Sequence, residues 1–124
     1  MSKLVNNLDY GQFFDRVMKI DPNIRLVAAY DGQFRAKLRE GIQRNLSDEE
    51  IKSSMIDAQN RWILRKNMSF KIAEPKFAMA QYGRVNRITI PLDDNRVILL
   101  TTDLGVDINE LADKVIETHI RFLD

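Results

Sequence analysis

A chain of 124 residues with 44% apolar and 30% charged side chains, five Gly and three Pro, fits one globular domain over residues 1–124 with a core of its own. The absence of cysteine excludes disulfides, thiolate metal sites and a cysteine nucleophile, and suits a reducing, cytoplasmic setting. The net charge is only +1, yet twelve Lys and Arg stand against six Asp and Glu between residues 34 and 87, leaving seven against twelve elsewhere, so a basic middle is flanked by acidic ends.

Residues 1–7 lack the apolar stretch of a signal peptide, and no apolar run approaches the ~20 residues that span a bilayer. Phe13, Val17 and Ile20 recur at helical spacing, which predicts a first helix over residues 9–19. Pro22 disfavours helical geometry at Asp21 and ends it. Residues 24–30 read as a buried strand with Ile24, Leu26 and Ala28 on one face and Val27 and Ala29 on the other. Asp31-Gly32 is a two-residue hairpin signal, because a type I′ turn needs positive φ at both central positions. A second strand should return over residues 33–37, followed by a connection over residues 38–46 in which neither period holds.

Ser47 and Glu50 form a capping box, with acidic residues at the positive end of the helix that starts there. Ile51, Met55, Ala58 and Trp62 then make an apolar stripe that should lie on a sheet and run to about residue 67 or 70. Pro75 breaks that helix, and residues 77–82, 85–92 and 97–102 read as a three-stranded meander joined at Gly83 and at Asp93-Asp94-Asn95. Ile88, Ile90 and Leu92 alternate with Arg87, Thr89 and Pro91, as in a strand buried on one face, while residues 97–100 suit burial on both. Asp107 and Glu110 repeat the cap spacing, and Ile108, Leu111, Ala112, Val115, His119 and Phe122 continue on one helical stripe.

The order α-β-β-α-β-β-β-α, with Asp31-Gly32, the long central helix, the meander and the capped last helix, resembles the roadblock/dynein-light-chain superfamily of profilin-like α+β folds. Asp21-Pro22-Asn23-Ile24, residues 46–50, Arg61-Trp62, Tyr82-Gly83, residues 87–91 and Leu100-Thr101-Thr102 resemble an archaeal branch of it. The resemblance implies a five-stranded antiparallel sheet with the long helix on one side and the terminal helices on the other. It also implies a homodimer joined through Met55, Asp57, Ala58, Arg61, Trp62 and Arg65 of the central helix and Phe77, Met79 and Gln81 of the first meander strand. Such dimers are platforms for small GTPases or for motor and signalling complexes.

The residues carry no reaction chemistry that competes with a non-enzymatic role. His119 is the only histidine, with no second His for a metal or triad, and it reads as a partly buried helix residue near a C-terminus whose dipole suits imidazolium. Five scattered glycines cannot assemble a phosphate cradle. Asp93-Asp94 and Glu49-Glu50 are adjacent pairs suited to turn and cap duties, and Ser53, Ser54 and Ser69 lack a neighbouring base. Neither a metal nor a cofactor is expected.

Arg61, Arg65, Lys66, Arg84 and Arg87 are the residues suited to an anionic partner, with Trp62 and Tyr82 as nearby aromatic surface, although no nucleic-acid reader motif accompanies them. The remaining alternative is a small-ligand sensor, with a cavity opening where Ala78 and Ala80 face Phe13 and Phe14.

Overall fold

The computed structural model describes residues 9–93 and 96–123. The expectations for residues 1–7, and for Asp94 and Asn95 as part of the join between the last two strands, lie outside the described residues. In chain order the elements are α1 (Tyr10–Ile20), β1 (Ile24–Tyr30), β2 (Phe34–Leu38), α2 (Asp48–Lys66), the one-turn α3 (Ser69–Ile72), β3 (Ala78–Gln81), β4 (Val85–Pro91), β5 (Val97–Asp103) and α4 (Ile108–Leu123). All five strands form one antiparallel sheet in the order β2-β1-β5-β4-β3, so β2 and β3 are its edges.

Two apolar layers hold the helices to opposite faces. On one face Ile51, Met55 and Trp62 of α2 pack on Leu26, Ala28, Val97 and Leu99. On the other, Phe13, Phe14 and Val17 of α1 and Leu111, Ala112 and Val115 of α4 close over Val27, Ile88, Ile90, Ile98 and Leu100. β5 lies mid-sheet and is covered on both sides, which is why four successive apolar residues begin it. Phe13 meets Phe122 edge-on at 5.7 Å and joins α1 to α4.

Local chemistry sets the element ends. Asp9 accepts from the Gln12 amide at 3.1 Å to start α1, and Asp107 accepts from the Glu110 amide at 3.1 Å to start α4. The end of α1 is held by a distant group: Arg39 donates through Nη2 to the carbonyls of Met18 (2.7 Å) and Asp21 (3.0 Å), and through Nε to that of Ile24 (2.7 Å). The connection between β2 and α2, irregular as expected, begins with this clamp.

Three expectations are corrected. The β1–β2 turn has three residues, because Tyr30 pairs with Phe34. Only Gly32 has positive φ there (95°), and Asp31 instead accepts from Arg35 Nη1 at 2.8 Å and from the Tyr10 hydroxyl at 3.1 Å. Ile24 shares its face with Val27 and Ala29 rather than with Leu26, since a bulge at Arg25 lets two steps of β1 oppose one step of β5 between Thr102 and Thr101. Finally, Ala78 packs on the α2 side of the sheet while Phe13 and Phe14 lie on the other, so no cavity opens between them.

Candidate partner-binding face

The sheet is wider than the single helix that covers it. α2 rests over β1 and β5, so β4 and β3 emerge from beneath it toward the open edge. The capping box fixes where α2 begins: Ser47 Oγ accepts from the Glu50 amide at 3.2 Å, and Glu50 Oε1 accepts from the Ser47 amide at 2.9 Å. The Ser47 amide, and after it the Ser47 hydroxyl, hold the Glu50 carboxyl below its ordinary range. With the start and the buried stripe fixed, Ser53, Asp57, Arg61 and Arg65 face β3 and β4.

β3 pairs only with β4, from Ala78 opposite Thr89 to Gln81 opposite Asn86. Its outer row of backbone groups has no strand partner among the described residues. Gln81 Nε2 donates to Asn86 Oδ1 at 2.9 Å, and the Tyr82 amide donates to the Val85 carbonyl at 2.8 Å, which tie the edge to β4 up to its turn. No proline or charge interrupts Ala78–Gln81, and Met79 is 41% exposed on it.

Between this edge and α2 lies a shallow depression of about 80 Å³, floored by Ala78, Ala80 and Thr89 and walled by Arg61, Arg65 and Arg87. Arg61, Arg65 and Arg87 form no ion pair among the described residues. Three uncompensated guanidiniums on one face are thus brought together from elements that the sequence separates. Arg84 is exposed in the β3–β4 turn and Lys66 is half-buried at the end of α2, and neither lines this depression.

The other candidates divide by burial. Asp57, Arg61, Arg65, Met79 and Gln81 are exposed, whereas Met55, Ala58 and Trp62 are turned into the chain's own core and Phe77 packs, half-buried, against the α1–α4 side. From the last turn of α2 through α3, Ile63, Leu64, Met68, Phe70 and Ile72 are a second set of exposed apolar residues, with Phe70 81% exposed. The sequence reading missed this group because its residues carry no single period across the break between α2 and α3.

At the opposite end of the sheet a polar cluster joins distant segments. Tyr10 donates to Asp31 Oδ2 (3.1 Å), Arg96 Nη1 donates to the Tyr10 hydroxyl (3.0 Å), and Arg96 Nε donates to Asp93 Oδ2 (2.8 Å). Arg35 sits 4.5 Å above the Tyr10 ring. Burial pushes the Tyr10 phenol up; it also pushes Asp31 up, but the hydrogen bonds from Arg35 and Tyr10 outweigh that and hold Asp31 below its ordinary value. Asp31, Arg35, Asp93 and Arg96 also line an open polar pocket of about 660 Å³ together with Gln33 and Gln59. Among the described residues no set of His, Asp and Glu is gathered to hold a metal ion, and no helix is long and apolar enough to cross a membrane.

His119 corrects the expectation of a helix-end imidazolium. It is 4% exposed, edge-on to Phe13 at 5.7 Å, with Nε2 buried and unpartnered among the described residues. Burial, aided by Arg96, lowers its pKa, so the native state prefers the neutral ring. Between that lowered value and the unfolded value of about 6.5 the unfolded chain binds the extra proton, and stability falls as pH falls. Thermal unfolding followed from pH 7.5 to 5 should show Tm declining across this window, and His119→Phe should remove that slope. A slope unchanged in the variant would assign it to other groups.

The sequence matches no family model and no curated protein. Solved structures match the fold closely. A Roadblock/LC7 domain from Streptomyces avermitilis superposes with a TM-score of 0.64 at 7% identity, covering 86% of this chain and 88% of that one. The gliding protein MglB from Thermus thermophilus gives 0.67 at 9% identity, over 90% of this chain and 86% of that one. MglC from Myxococcus xanthus gives 0.57 at 7% identity, over 92% and 96%. The chain therefore has the roadblock fold that its element order predicted.

Proposed function

We propose that the chain is a non-enzymatic, homodimeric scaffold whose α2–β3 face first pairs with a second copy and then presents a platform to a protein partner, a small GTPase being the partner class. The observation that carries this reading is the open β3 edge beside an exposed, uncompensated α2 face. Pairing β3 with its symmetry mate would extend two five-stranded sheets into one and satisfy the exposed backbone row. The roadblock fold supports the same arrangement, and one MglB structure of this fold, at a TM-score of 0.56, is described as having a tetrameric arrangement. The GTPase class follows from the resemblance that the sequence carries.

Charge near such a two-fold axis needs an answer. Arg61 and Arg65 would repel their symmetry mates unless a carboxylate lies opposite, and Asp57, one turn earlier on the same face, forms no ion pair among the described residues. Glu50 is already engaged by Ser47, so Asp57 of each copy is the group to meet Arg61 of the other.

Light scattering across concentration should give a mass near twice 14.4 kDa. Met79→Lys should shift the species toward monomer by setting like charges across the paired edges. Arg61→Asp should weaken the dimer and Arg61→Asp with Asp57→Arg should recover it. A wild-type chain that stays monomeric at tens of micromolar would sink the dimer. For the platform, the purified dimer should retain a small GTPase in one nucleotide state more than in the other; equal or absent retention across such proteins would count against that partner class.

A further inference from the structure

Under the first turn of α2 the irregular connection after β2 arches over the sheet without filling the space below it. The result is a pocket of about 410 Å³ at the end of the sheet, adjoining the shallow depression beside β3 at Arg87 and Tyr82 and within the ~300–1,000 Å³ range of small-molecule sites. Its walls are apolar: Leu26, Leu38, Ile42, Ile51 and Val85 come from five different segments. Leu26 and Ile51 are buried, so that part of the wall is a surface of the packed core.

Three guanidiniums stand on the rim. Arg25 is taken by Asp103 at 3.0 Å and Arg44 by Asp48 at 3.0 Å. Arg87 is half-buried, lines the pocket, and forms no ion pair among the described residues. A half-buried charge beside an apolar void is answered best by a ligand that brings one opposite charge and an apolar body.

We infer that this pocket binds a medium-chain monocarboxylate of roughly ten carbons, its carboxylate on Arg87 and its alkyl chain against Leu38, Ile42 and Val85. A single uncompensated guanidinium offers two parallel donors, which match the two oxygens of a carboxylate. Arg61 and Arg65 line the neighbouring depression and not this pocket, and the other two arginines of its rim already hold carboxylates, so a singly charged head matches the one guanidinium left to it. The volume and the mostly apolar walls suit a free small molecule. The pocket shares Arg87 and Tyr82 with the depression beside β3.

Titration calorimetry with decanoate, decanol and decyltrimethylammonium separates head from tail. Decanoate should bind one per chain, at least about tenfold more tightly than decanol, and the quaternary ammonium should not bind. Arg87→Gln should reduce decanoate to the level of decanol, and Ile42→Trp, which fills the void, should remove both while cooperative unfolding is retained. Amide shifts on adding decanoate should cluster at residues 38–46 and 82–87, which keeps the test decisive if the filled variant does not fold. Absence of saturable decanoate binding, equal binding of decanoate and decanol, unaltered binding by Arg87→Gln, or shifts confined to the exposed apolar residues 63–72 would each overturn the site.

Discussion

Trp62→Ala should cost about 3–5 kcal/mol of stability, the range for truncating a large buried aromatic side chain. For a chain of this size that corresponds to a Tm drop on the order of 10–20 °C. Trp62 is 3% exposed and anchors the far end of α2 in the buried cluster that also holds Met55, Ala28, Val97 and Leu99. Removing the indole leaves a void that the sheet, held in register by four strand pairings, cannot collapse to fill. Denaturant unfolding followed by far-UV circular dichroism measures the loss. Because the packing lies inside one chain, the loss should persist when protein concentration is varied, whereas destabilisation confined to dilute samples would place Trp62 between copies. Arg61→Ala, one residue away and exposed, should change stability by no more than about 0.5 kcal/mol.

Arg96→Met should cost about 2–4 kcal/mol, the range for removing one member of a largely buried charge cluster. Arg96 is 7% exposed and donates to Asp93 and to the Tyr10 hydroxyl, and Tyr10 in turn donates to Asp31. The substitution removes the side-chain donor to Asp93 Oδ2 and to the Tyr10 oxygen, while Asp93 Oδ1 keeps the backbone amide of residue 96, and it loosens α1 from the segments around Asp31 and Asp93. Arg96→Lys should not restore the loss, since one ammonium cannot serve two partners set by a planar fork. Tyr10→Phe removes one hydroxyl only and should cost less, about 1 kcal/mol. Thermal unfolding of the three variants ranks them; an Arg96→Lys protein as stable as the parent would show that charge alone, not the fork, holds the cluster.

Local signals carried most of the fold. The capping box at Ser47, the stripe from Ile51 to Trp62, the alternation through Ile88 and Ile90 and the Asp107 cap each act within a few residues, and each element formed where its own chemistry placed it. What escaped was long-range. The bulge at Arg25 exists only against β5, and it reversed the face of Ile24. The hairpin turn took a third residue because Asp31 was claimed by Arg35 and Tyr10. The buried neutral state of His119 depends on Phe13 of another helix.

The candidate faces divide in the same way. Arg61 and Arg65 are one helical turn apart and could be grouped from spacing, but Arg87 joins them only through the sheet. Met55, Ala58 and Trp62 point inward because the stripe that builds α2 is the one it buries. The pocket below residues 39–46 left no periodic trace, since a segment that arches over a void has no repeating face to bury.

The sheet order also governs how the chain must emerge from the ribosome. β1 is made early, but its inner neighbour β5 lies about 70 residues later, with Ala28 opposite Leu99. Until that strand appears, the β1–β2 hairpin has no central partner, and the apolar stripe of α2 has only half of its eventual bed. At synthesis rates of about 5–20 residues per second this wait lasts several seconds, during which a hairpin edge and an amphipathic helix are open to wrong partners. Closure of β1 on β5 is the non-local step that converts these parts into a domain, and folding of the nascent chain should be all but silent until residue 103 has cleared the exit tunnel.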